Sequence, residues 1–158
     1  WLNDADGSNE EPFAAFDDKN ILSEYLQQLS TFARFLRFAH DFRHKEGYLL
    51  PYNETIIDHK KYIVCSLRDA AEFLSRKDYT DNWQSEMHET FCFWDFTEWK
   101  QHLQEAGFTI HPSSKAFTND WIVNNRWRGK AELFTLANGQ LQALDYPVTT
   151  MFLIGVKA

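Results

Sequence analysis

The chain reads as an α+β protein, with a mainly helical first part and a β-rich end. Three patterns predict this. Apolar residues recur at helical spacing from Ile21 to Phe42, in 67–77 and in 96–106. An Asn138-Gly139 pair lies between two strand-like runs. TTMFLIGVK (149–157) closes the chain as a near-continuous apolar stretch. At 158 residues the chain fits one compact unit with a substantial core. Its 16% aromatic content favours that core, because each ring removes roughly 150–250 Å² from water.

Residues 1–19 read as an exposed acidic lead-in with turn signals, DADGSN and then Pro12. A long helix is expected from Asn20, its N-cap, to Gly47, its terminator. The stripe of Ile21, Leu22, Tyr25, Leu29, Phe32 and Leu36 is joined by Phe35, Phe38 and Phe42, so this helix needs cover on two sides. Its Arg34, Arg37, Arg43 and Lys45 read as a solvated basic face. TIID (55–58) and KYIVCS (61–66) form a hairpin turning at His59-Lys60. LRDAAEFLSRK (67–77) is helical.

The next helix spans Phe96 to Ala106. Asp95 and Glu98 form its capping box, Trp99, Leu103 and Ala106 its buried face, and Gly107 its left-handed terminator. FTIHPSSKAF (108–117) reads as one strand, and NDWIVNNRW (119–127) as a short helix or turn. KAELFTL and QLQALDY pair across Ala137-Asn138-Gly139. The closing run is expected as a central strand covered on both faces. Residues 1–95 thus form the lead-in and a mainly helical part with one hairpin, and 96–158 the β-rich part.

Several function classes are disfavoured. A net charge of −7 opposes a nucleic-acid phosphate backbone as the main partner. No apolar run nears the roughly 20 residues of a bilayer crossing, so no membrane association is expected. Only six glycines occur, none clustered, and neither a GxGxxG nor a P-loop is present. Cys65 and Cys92 lie in apolar stretches and read as buried free thiols, with a single disulfide between them as the alternative. A cytoplasmic location follows from the first of these. The chain opens on Trp1, which is the expectation for a piece of a longer protein.

Chemistry concentrates in NWQSEMHETFCFW (82–94). His40 and His44 can share a helix face, and with Glu86, His88 and Glu89 they make a conceivable metal-dependent hydrolase site, but the HExxH arrangement is missing and no metal is expected. Cys92 between two Phe is a poor nucleophile, since desolvation raises its pKa. The remaining candidates for substrate binding are Trp83, Glu86, His88 and Glu89, with Asn119, Trp121, Asn125 and Arg126 in a second polar-aromatic knot. Whether the acids line a pocket beside the indoles, or face water while the indoles fill the core, stays open at this level.

FCFWDFTEWKQHLQEAGFTIHPSSKAF, together with the terminal PVTTMFLIGVKA, resembles the last third of class I S-adenosylmethionine-dependent methyltransferases. Leu103, Ala106, Gly107 and Phe108 match that family's turn between its last helix and sixth strand. Thr149 to Lys157 match the seventh strand, which inserts antiparallel beside it. EFLSRKDYTDNWQSEMHETFCFW and AFTNDWIVNNRWRGKAELF look like a bacterial subgroup with a large helical insertion after the fifth strand. The resemblance implies a Rossmann-like sheet of which only the end is present, with residues 1–95 as cap. It also implies an N-terminal partner half that holds the S-adenosylmethionine, since neither the Gly-rich loop nor the ribose-binding acid lies in this chain. On that reading the chain is inactive alone, binds no cofactor, and turns Glu86, His88 and Glu89 toward a small-molecule acceptor. An exposed sheet edge also allows dimerisation. The competing expectation is a non-catalytic ligand-binding or protein-interaction domain with an aromatic-acidic pocket.

Overall fold

A computed structural model of the chain describes residues 2–4, 28–42, 50–76 and 83–157. Among these the architecture is mixed α+β, built from short helices and small antiparallel strand groups. No helix among the described residues is long and apolar enough to cross a membrane.

Helix α1 (Thr31–Asp41) starts at Ser30, whose hydroxyl accepts from the Ala33 amide at 3.1 Å. The long helix expected from Asn20 is therefore interrupted at Leu29-Ser30, because this serine caps a new start. Asn20 and Gly47, its expected ends, lie outside the described residues, as do Arg43 and Lys45. The need for cover on two sides is met. Phe32, Phe35, Phe38 and Phe42 are all buried, with Phe35 at the centre. Its ring takes edge contacts from Phe38 (5.8 Å), Tyr52 (5.5 Å) and Phe73 (5.3 Å). Such pairs add about 0.5–1.5 kcal/mol each beyond the area they bury.

Strands β2 (Asn53–Ile57) and β3 (Lys60–Val64) form the expected hairpin, but the turn falls one residue earlier, at Asp58-His59. Both take positive φ (50° and 64°), the two-residue geometry that matches strand twist. Strand β1 (Leu2–Asp4) pairs antiparallel with β3, so the lead-in contributes backbone to a three-stranded sheet rather than only an irregular segment. Helix α2 (Leu67–Ser75) is capped by Ser66, which accepts from the Asp69 amide at 3.0 Å. After the single turn α3 (Trp83–Glu86) comes α4 (Phe96–Glu105), with the expected capping box formed in full.

Three expectations for the C-terminal part are corrected. No residue of α4 is buried, and Trp99 is 37% exposed, although the Trp94 ring meets it at 4.6 Å. FTIHPSSKAF and TTMFLIGVK do pair antiparallel, but each is broken. β4 (Phe108–Ile110) pairs with β9 (Gly155–Lys157), and β5 (Lys115–Phe117) with β8 (Thr150–Phe152). Between Ile110↔Gly155 and Lys115↔Phe152 one strand advances five residues and the other three, so His111–Ser114 loops out. Pro112 has no amide to offer the ladder, and the Ser114 hydroxyl takes the Ile154 amide instead at 3.0 Å. Nor is the closing run central: Phe152 and Val156 are about half exposed, at 55% and 49%.

The remaining elements follow the sequence. Asn119 caps α5 (Asp120–Ile122), which widens into a π-type turn closed by Arg128 N to Val123 O at 2.8 Å. β6 (Phe134–Ala137) and β7 (Gln140–Ala143) meet at Asn138-Gly139, both at positive φ. The core joins α1, β3 and α2 to Val123, Trp127, Ala131 and Leu133.

Gly107 holds φ +87° with open space around the position of a Cβ. Gly107→Ala should therefore cost only the left-handed backbone penalty, about 1–2 kcal/mol, with an unchanged circular dichroism spectrum. Denaturant titration checks this.

Candidate functional site

The stretch 86–95 is held by two side chains of α2. Glu72 and Arg76 stand one turn apart and are both buried. The Arg76 Nη2 donates to Glu72 Oε1 and, at 2.6 Å, to the Glu89 carbonyl, while Nη1 donates to the Glu86 carbonyl. Glu72 in turn accepts the amides of Phe91 at 2.9 Å and Cys92 at 2.7 Å. The guanidinium also lies over the rings of Phe42 (4.6 Å) and Phe91 (4.7 Å). Burial pushes the Arg76 pKa down, and the Glu72 carboxylate opposes that shift. These bonds are charge-assisted, and they fix the backbone of 86–92 rather than its side chains.

That placement decides what the predicted residues do. Glu86 is buried, while His88 and Glu89 face water. The side chain of Trp83 lies outside the described residues. Asn119 is spent on capping, accepting from the Trp121 amide at 2.9 Å. Trp121 is 60% exposed with the Arg126 guanidinium over its ring at 5.6 Å, and Asn125 donates to the Trp121 carbonyl.

A cavity of about 740 Å³ opens one turn further on, between α2, residues 91–97, Trp127 and residues 147–151. Of the eight predicted residues, none whose side chain is described lines it. Its wall includes four aromatic residues, Phe91, Trp94, Phe96 and Trp127. Trp94 is oriented by α4, stacking on His102 at 4.0 Å and meeting the edge of Trp99 at 4.6 Å. Of this wall only Trp94 and the FCFW motif drew notice in the sequence. Glu72 and Arg76 were missed, although their i, i+4 spacing was visible. That spacing is common on solvated helices, and only tertiary packing buries it.

The charged groups at the cavity are engaged. Asp95 Oδ1 accepts the amides of Thr97 and Glu98, each at 2.8 Å. Arg68 donates to Glu98 at 2.7 Å, a bond that raises the Arg68 pKa. Glu98 is held below the usual carboxylate range first by the Asp95 amide and then by Arg68. Both cysteines are free. Burial pushes the Cys65 thiol from 9.0 up to about 11. Burial and then the Glu72 carboxylate push Cys92 up to about 12. Neither is a thiolate nucleophile at neutral pH. Among the described residues no three metal-ligating side chains gather. His40 instead meets Asp41 at 2.8 Å, and His44 lies outside the described residues.

No family model, curated protein or solved structure matches this chain.

Removing Glu72 leaves a buried cation and two amides without their acceptor. Glu72→Ala should lose about 3–5 kcal/mol of stability. Arg68→Ala, which breaks an exposed pair, should lose less than about 1 kcal/mol. Urea unfolding of the two variants checks the contrast.

Proposed function

We propose that this chain is the C-terminal, substrate-side portion of a class I S-adenosylmethionine-dependent methyltransferase, with the cofactor held by an N-terminal half. One observation carries the reading. Helix α4 ends at a left-handed Gly107 and leads straight into β4, and the closing strand β9 lies antiparallel beside it. That is the order and direction expected of the end of such a sheet. The exposed Phe152, Ile154 and Val156 support it, since an apolar strand face without cover fits a sheet that continues into another segment. The Rossmann-like origin, the bacterial subgroup and a cytoplasmic location belong to the same proposal. In it, this chain's residues shape the acceptor's wall and none is assigned to the methyl donor.

The cavity favours a second reading, a non-catalytic ligand-binding domain, because its volume of about 740 Å³ is that of a small-molecule site. Dimerisation through β8 and β9 is the corresponding account of the exposed strands.

The two readings diverge on the coding region that precedes Trp1. The first expects a strand, a Gly-rich turn and a helix there, then an acid ending the next strand. It also expects the full product to bind labelled S-adenosylmethionine, with the present chain alone failing to do so. An upstream region without that pattern, or a full product that does not bind the donor, would overturn it in favour of the second.

A further inference from the structure

The cavity bounded by α2 and residues 91–97 has the size of a small-molecule site, which typically runs about 300–1,000 Å³. Phe91, Trp94, Phe96 and Trp127 are among the residues that line it. Aromatic side chains on a wall favour an aromatic ligand, by offset or edge-to-face contact. Its mouth is apolar too: Leu67, Val148 and Met151 are exposed there.

Electrostatics narrows the ligand further. The ionised side chains on the wall, Arg68 and Asp95, are already matched by Glu98 and by the α4 amides. A charged ligand would surrender its hydration and meet ionised groups whose hydrogen bonds are already directed elsewhere, which is unfavourable. A neutral ligand avoids that cost. The Thr97 hydroxyl remains for a polar substituent, since Thr97 also lines the cavity, while the Thr150 hydroxyl already meets that of Thr149 at 3.2 Å. From this combination we infer that the cavity is a binding site for an uncharged, planar, aromatic small molecule bearing one or two hydroxyl or carbonyl groups. Calling that molecule a methyl acceptor rests on the preceding proposal. The binding does not, and it is tested with no methyl donor present, so the two fail separately.

The test is calorimetric titration of the intact chain at neutral pH with three probes of one shape: 2-naphthol, 2-naphthoate and 2-naphthylmethylammonium. The neutral naphthol should bind at one site, at least about tenfold more tightly than either ion. Ala71 lines the cavity and is buried, so Ala71→Phe should abolish binding by filling it. Leu67→Arg changes an exposed position and does not depend on core repacking. It places an unmatched cation at the mouth, and should shift the preference from naphthol toward naphthoate. Absence of saturable naphthol binding, equal affinity for all three probes, or a folded Leu67→Arg chain with the original preference would overturn the inference.

Discussion

The buried Glu72–Arg76 pair is the interaction on which the described structure depends. Two charges taken out of water are costly, and the cost is offset by hydrogen bonds to the groups around them, here made by all but the Arg76 Nε. Here Glu72 holds the amides of Phe91 and Cys92, and the Arg76 guanidinium holds the carbonyls of Glu86 and Glu89. The same residue reaches the other side of the core. Its backbone carbonyl accepts the buried Lys130 ammonium at 2.8 Å, and the Lys130 carbonyl accepts the Thr31 hydroxyl at the start of α1. One short polar chain therefore ties α1, α2, residues 86–92 and the segment after the π-type turn. The apolar core closes around it. Phe42 and Phe91 cover the guanidinium, and Phe73 lies under Lys130 at 5.0 Å.

Function follows from what this chain of bonds leaves over. By fixing the backbone of 86–92 against α2, it sets Phe91 and Cys92 at the cavity wall, with Trp94 next in line. It also leaves His88 and Glu89 exposed to water. The acid that borders the cavity serves structure, since Asp95 starts α4, while Glu98 joins α4 to α2 through Arg68. A cavity results whose wall carries four aromatic side chains and whose charged groups, Arg68 and Asp95, are already hydrogen-bonded. It suits the acceptor side of a methyltransferase, where a second half would bring the reactive group, and equally a binding domain with no chemistry.

Local signals in the sequence were legible wherever a few neighbouring residues decide the outcome. The Asp95/Glu98 capping box, the left-handed Gly107 and the Asn138-Gly139 turn all stand where the sequence places them. The order of helices and strands was readable too. What failed depended on partners distant in sequence. Trp99, Leu103 and Ala106 have the spacing of a buried face, but spacing does not say whether anything packs against it. TTMFLIGVK has the composition of a covered strand and still lies about half exposed along much of its length. The dense stretch at 82–94 drew attention to its charged side chains, whereas its backbone is what α2 recognises. Glu72 and Arg76 carry no motif that marks them as buried.

Amide hydrogen exchange at Phe91 and Cys92, resolved residue by residue, measures the central interaction most directly. Neither amide belongs to a helix or a strand, so their protection comes from the Glu72 carboxylate. Exchange only through opening of the whole core, as slow as that of the amides of α2, is the predicted result. Exchange as fast as in an unstructured loop would contradict it, and would remove the anchor from which the cavity wall is built.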